Sequence, residues 1–268
     1  MLKRILTAIP LILLVLIALF YTSERGFAIV TGLVFLYAAY EWANMIALTL
    51  TQKILFFIVT SVLFLLSRWM HPLILVSLSA LWWLSVPTLL YRFNNTAHKA
   101  ELAHKHFLQA GIGIFILLSA WVSLNVIRSF PYGPVLVLFN LLLVWTADSA
   151  AYFVGKQWGK RKLASNISPK KTLEGFGAAL LASLLVALIE GVILQFPPIP
   201  FIKFCILGVL TGAGCVIGDL YESMVKRIYK VKDSGSILPG HGGLLDRIDG
   251  LLAATPFFTL GILWLVIT

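Results

Sequence analysis

The sequence predicts an all-α integral membrane protein of about nine transmembrane helices, with its N-terminus cytoplasmic and its C-terminus on the other side. Three observations carry that prediction. First, of 268 residues 60% are hydrophobic and only 12% charged, against roughly 45–50% and about 25% in soluble domains. Second, the apolar residues gather into nine stretches, each near the ~20 residues that cross a ~30 Å hydrocarbon core. Third, Lys and Arg alternate between the connections that those stretches leave. The composition excludes a soluble enzyme, a nucleic-acid reader and a disordered chain, so no nucleic-acid partner is expected.

The stretches are 5–22, 26–48, 54–69, 72–91, 107–127, 133–155, 175–196, 201–222 and 251–268. Each should be helical, because hydrocarbon offers backbone N–H and C=O groups no partner outside their own helix. Lys3 and Arg4 before the first stretch resemble a signal peptide, but no small-x-small cleavage site follows, so it reads as an uncleaved helix. The third is the weakest span. The linker 92–106, with His98, His104 and His106, reads as solvated and polar. Cys205 and Cys215 lie in one apolar run without metal-ligand spacing and read as inert core thiols.

With the N-terminus inside, one side holds Lys3, Arg4, Lys53, Arg92, Lys99, Lys105, Lys156, Lys160, Arg161, Lys162, Lys170, Lys171, Lys226, Arg227, Lys230, Lys232 and Arg247, which is 17 of the 21 basic residues. The other side holds Arg25, Arg68, Arg128 and Lys203. Retention of basic loops in the cytoplasm explains the bias, and an error of one span would scramble it.

Two regions differ in character. Residues 1–140 read as transmembrane scaffold helices. Residues 141–268 read as the catalytic region, with cytoplasmic loops 156–174 and 223–250; the segment 141–250 holds eight of the eleven acids. Glu41 and Glu190 lie singly in their spans, with no partner evident, and read as satisfied or interface-facing acids. Asp148, Asp219 and Glu222 each precede a basic loop, where water and ions can reach.

Positions 219, 222, 223 and 226 share one helix face, which stacks Asp219, Glu222, Ser223 and Lys226 along a stripe. A segment with four glycines and one proline follows, Gly235 to Gly243, which cannot be regular helix and lets backbone N–H groups approach an anion. Asp246 and Asp249 then stand one helical turn apart. Hard carboxylate oxygens suit Mg²⁺ shared with substrate phosphates, and cations suit phosphate oxygens. This constellation points to phosphoryl or nucleotidyl transfer at the cytoplasmic face. In the other loop Lys170, Lys171 and Thr172 fall just before a helix N-terminus, which attracts anions, and Ser168-Pro169 reads as its cap and first turn.

Residues 223–249 resemble the signature of the bacterial phosphatidate cytidylyltransferases, or CDP-diacylglycerol synthases. It falls on Ser223, Lys226, Arg227, Lys232, Asp233, Pro239, Gly240, His241, Gly242, Gly243, Asp246, Arg247 and Asp249, without departure. The strings Asp148 to Gly159, Ser168 to Gly175 and Gly218 to Ser223 are also similar to that family's, so the specific resemblance covers about 148–250.

The resemblance implies transfer of CMP from CTP to phosphatidic acid, giving CDP-diacylglycerol and pyrophosphate. It also implies Mg²⁺, a second, monovalent cation such as K⁺, and a homodimer. The place implied is the bacterial cytoplasmic (inner) membrane, with the site facing the cytoplasm. On this reading Asp219, Asp246, Asp249 and Asp148 are metal ligands, and Asp219, Asp246, Asp249 and Lys226 are catalytic. Ser168, Lys170, Lys171, Ser223, Arg227, Lys232, Asp233, His241 and Arg247 bind substrate. The rival readings are a CTP-dependent lipid kinase of the polyprenol type, which would move the γ-phosphoryl group, and a membrane transporter.

Overall fold

The computed structural model describes residues 2–95, 105–237 and 242–267, and side chains within 10–95, 105–237 and 242–265. Nine α-helices lie among them: α1 Leu2–Phe20, α2 Glu24–Met45, α3 Leu50–Leu66, α4 Pro72–Asn95, α5 His106–Ser129, α6 Gly133–Trp158, α7 Leu173–Ile193, α8 Pro198–Ile228 and α9 Leu245–Ile267. Each corresponds to one predicted stretch. Eight are long and apolar enough to cross a membrane, and Pro10–Phe20, the part of α1 whose side chains are described, is a shorter apolar helix. The chain is therefore an all-α, multi-span membrane protein with one small addition. Within the connection 156–174, β1 Lys162–Ala164 and β2 Ser168–Thr172 pair antiparallel, Lys162 opposite Thr172 and Ala164 opposite Ser168.

Local chemistry sets several helix ends. Ser23 accepts from Gly26 N at the start of α2. Thr49 and Gln52 form a reciprocal capping box at the start of α3. The cap of α7 is Thr172, whose hydroxyl accepts from Gly175 N at 3.1 Å. This corrects the reading of Ser168-Pro169 as cap and first turn. Those two residues open β2, and pairing with β1 holds them extended. Helix α8 runs 31 residues, about 46 Å at 1.5 Å per residue, well beyond a ~30 Å hydrocarbon core. Its last turns carry the acidic stripe.

Polar and aromatic contacts tie helices together, both within the first predicted region and between it and the second. Tyr221 of α8 stacks on Trp42 of α2 with ring centroids 6.5 Å apart, and meets the edge of Trp83 of α4 at 5.6 Å. The Trp42 indole donates to Gln109 O of α5 at 3.0 Å. Asn140 of α6 donates to the Thr255 hydroxyl of α9 at 3.0 Å, and Ser119 of α5 to Ser79 of α4 at 2.9 Å. Buried interhelical bonds of this kind contribute about 0.6 kcal/mol each, up to ~1.7.

Candidate active site

The antiparallel alternation brings the ends of α2, α4, α6 and α8 and the starts of α5, α7 and α9 to one face. Two close backbone approaches bring the acids together there. A Cβ on Gly218 would collide with the backbone oxygen of Asp249, and one on Gly250 would lie 2.7 Å from Cys215 Sγ. Glycine at both positions lets α8 and α9 touch along the turn that carries Asp219, Asp246 and Asp249.

Asp246, in the first turn of α9, is bonded through both carboxylate oxygens. Its Oδ1 accepts from Lys226 Nζ at 2.7 Å, and its Oδ2 from Ser234 N at 3.0 Å and Gly243 N at 2.9 Å. Lys226 also faces Glu222 at 3.4 Å and is largely buried, with its side chain 12% exposed. Lys171 of β2 pairs with Asp219 Oδ2, and Ser223 donates to Asp219 Oδ1 at 3.4 Å. Asp148 of α6 accepts from Cys215 Sγ at 3.2 Å and interacts electrostatically with Asp219, Lys171 and Arg247. Asp249 is buried, accepts from Gly250 N at 2.8 Å, and interacts with Asp219, Glu222 and Asp148. Glu222 is buried beside Asp249 and Lys226.

Asp148, Asp219, Glu222 and Asp249 thus share one neighbourhood in which mutual repulsion calls for cations. Lys171 and Lys226 supply two. Among the described residues no group of three or more His, Cys, Asp or Glu side chains forms a ready-made metal site. Each carboxylate nonetheless has about four lone-pair sites, so pairing with a lysine leaves Asp219 oxygen capacity. Hard oxygens around Glu222, whose ion pair with Lys226 is 3.4 Å long, are a donor set that fits a divalent cation of the Mg²⁺ type.

The remaining predicted residues divide. Ser168 and Lys170 lie on β2, Ser168 half-buried and Lys170 exposed. Arg227 is exposed, and its Nε donates to Ile167 O at 3.0 Å, which ties the hairpin to α8. Asn166 of the hairpin turn is held by Asn94 of α4, through bonds of 2.9 and 2.6 Å. Glu174 accepts from Lys160 N at 3.1 Å and from Arg161 N at 3.2 Å, closing the hairpin base. Lys232 and Asp233 are exposed past α8, and Arg247 is exposed on α9. His241, like His98 and His104, lies outside the described residues, while His106 sits at the start of α5 against Ile46 O at 2.9 Å.

Three contributors were missed from sequence. Ser234 donates to Asp246 Oδ2 through its backbone N–H, accepts from Asp246 N at 3.3 Å, and donates its hydroxyl to Glu41 at 3.4 Å. Glu41, from the first region, accepts from Leu244 N at 3.1 Å and Leu245 N at 2.7 Å. It therefore caps α9 from outside and is a satisfied acid, as predicted, but one that secures the site. Cys215 is buried, as an inert thiol should be, yet its Sγ meets Asp148. Only Ser234, next to the Gly-rich segment, offered a local signal. The partners of Glu41 lie 193 to 204 residues away.

Known proteins place this arrangement. The cytidylyltransferase family model matches residues 2–265. A phosphatidate cytidylyltransferase of Haemophilus influenzae is 36% identical over 96% of this chain and 96% of its own length. One from Pseudomonas aeruginosa is 34% identical over 98% of this chain and 96% of its own length. One from Bacillus subtilis is 47% identical over 47% of this chain and 46% of its own. Both the resemblance in the signature and the match across nearly every helix lead to one assignment: the chain belongs to the cytidylyltransferase family, as a phosphatidate cytidylyltransferase of bacterial type.

Proposed function

We propose that the protein transfers CMP from CTP to phosphatidate, giving CDP-diacylglycerol and pyrophosphate, at the helix face that carries the lysine-paired aspartates. Family membership and full-length relatives support this activity, and they lend none to a lipid kinase or a transporter. The observation that carries the site is the pair of contacts Lys171–Asp219 and Lys226–Asp246, which set cations and carboxylates alternately around one point.

An oxygen of the lipid phosphate attacks the α-phosphorus of CTP in line. The new P–O bond forms as the bond from Pα to the bridging oxygen breaks, and pyrophosphate leaves with that electron pair. A phosphate monoester is already ionised near pH 7, so no strong base is needed. The work left to the protein is to neutralise two polyanions and align them. Lys226, Arg227, Lys232 and Arg247 neutralise phosphate charge. Ser168, Lys170, Lys171, Ser223, Asp233 and His241 contribute to substrate binding. Asp219, Asp249, Asp148 and Asp246 would hold Mg²⁺, which when bound supplies charge neutralisation on the nucleotide phosphates. A monovalent cation, a homodimer, and a site on the cytoplasmic side of a bacterial inner membrane belong to the same proposal.

The test is a product assay on purified protein with phosphatidic acid, Mg²⁺ and CTP labelled at the α- or the γ-phosphorus. The α-label should enter lipid and the γ-label leave as pyrophosphate, with Asp246→Asn silent. Entry of the γ-label into lipid would make the protein a kinase.

A further inference from the structure

Of the basic residues, Arg25, Arg68, Arg128 and Lys203 stand at or beside helix ends, at the end of the bundle opposite the carboxylate cluster. Helix α2 starts at that end with Glu24 and carries Glu41 near the other. Basic residues are scarce on that side, yet three of these four converge on a single cavity of about 690 Å³ between α2, α3 and α5. Its walls are apolar, with Ala28, Ile29, Leu33, Phe64, Trp121 and Val122 among them. The same lining includes the three arginines and one acid, Glu24.

The walls are fixed. Phe64 stacks on Trp121 with ring centroids 4.7 Å apart, and the Trp121 indole donates to Ala28 O and the Thr31 hydroxyl. Arg128 donates from Nη2 to Thr22 O at 3.0 Å and lies over the Phe27 ring, while its buried Nε has no hydrogen-bond partner among the described residues. Arg25 and Arg68 are exposed. Helix α3 buries only Phe56, Thr60 and Phe64, so the cavity's outer flank is thinly closed.

An apolar cleft beside hydrocarbon does not stay empty, because its lining would forfeit dispersion contacts, and water finds few polar partners there. A lipid chain is the available filler. Guanidinium groups in the lining match a phosphate diester through paired N–H donors, and basic pockets between spans hold acidic headgroups. We propose that this cavity binds one acidic phospholipid of the leaflet opposite the catalytic cluster, its phosphate among Arg25, Arg68 and Arg128 and one acyl chain along α2, α3 and α5. The site is separate from CMP transfer.

The experiment compares the full chain with an Arg25→Glu/Arg68→Glu variant, Arg128 being kept because it also holds Thr22. Native mass spectrometry in mixed micelles would count retained phosphatidylglycerol against phosphatidylcholine, and thermal melts would follow each lipid and inorganic phosphate. Wild type should prefer phosphatidylglycerol and be stabilised by it. The variant should lose that preference by about tenfold or more, two like charges now facing the phosphate. Its melting in pure detergent and its CMP transfer should stay unchanged. A second variant, Leu33→Trp, should lower phosphatidylglycerol retention by filling the cleft. Equal retention by wild type and the charge variant would overturn the proposal. So would an equal thermal shift from inorganic phosphate, or a change of oligomeric state without lipid preference, which would make the cleft an interface between copies.

Discussion

Glu41→Ala should cripple the enzyme without unfolding it. The carboxylate of Glu41, 1% exposed, accepts from Leu244 N, Leu245 N and the Ser234 hydroxyl. Alanine leaves two backbone donors at the start of α9 without an acceptor. Each costs about 1–3 kcal/mol when buried, so the local loss is ~2–6 kcal/mol. A hydroxyl can rotate to another partner, so Ser234 adds less. A central value of ~4 kcal/mol corresponds to about a thousandfold in the population of the arrangement that holds Asp246 against Lys226. Helix α9 still packs along α8, α5 and α4, so insertion and size-exclusion behaviour should persist. The assay is kcat/KM for CMP transfer in detergent, paired with limited proteolysis of the connection between α8 and α9. Glu41→Ala should fall by two to three orders of magnitude and cleave faster. Glu41→Gln keeps one acceptor oxygen and loses the charge-assisted part, so it should fall about tenfold. Wild-type turnover and unchanged protease resistance in Glu41→Ala would refute the reasoning.

Lys226→Met should cut activity at least about a hundredfold and lower the melting temperature, because Asp246 and Glu222 then keep buried charge without their shared cation, a change worth roughly 3–5 kcal/mol; circular dichroism melts and initial rates check both. Lys171→Ala should cost at least about ten times more activity than Lys170→Ala, since only Lys171 pairs with Asp219; initial rates at varied CTP decide it. Gly218→Ala should express but turn over slowly, because its Cβ meets the Asp249 backbone and parting α8 from α9 costs about 1–3 kcal/mol. Chelation with EDTA should abolish CMP transfer and added Mg²⁺ restore it, as a rate measurement against free metal will show.

The helices were legible because lipid imposes length and charge alternation on a chain, and every predicted stretch became a helix. Asp219, Ser223 and Lys226 were legible as a stripe because helical spacing is local. The hairpin was not. Its strands are three and five residues, in a polar segment whose period-2 pattern is too short to register, and its anchors, Asn94 and Arg227, come from distant helices. Glu41 failed to stand out for a related reason. A lone acid in an apolar helix says that it has a partner, and nothing in its own window says where. Cys215 reads as a small apolar residue until α6 sets Asp148 beside it.

The tether from Glu41 to the start of α9 also bears on biogenesis. Leu245 leaves the ribosome 204 residues after Glu41, a delay of ~10–40 s at about 5–20 residues per second. Until the final span enters the bilayer, Asp246 has neither its capped helix nor Lys226 in register. A nascent chain that ends before α9 therefore lacks Asp246 and Asp249, and the proposed centre can assemble only once that last helix has been made.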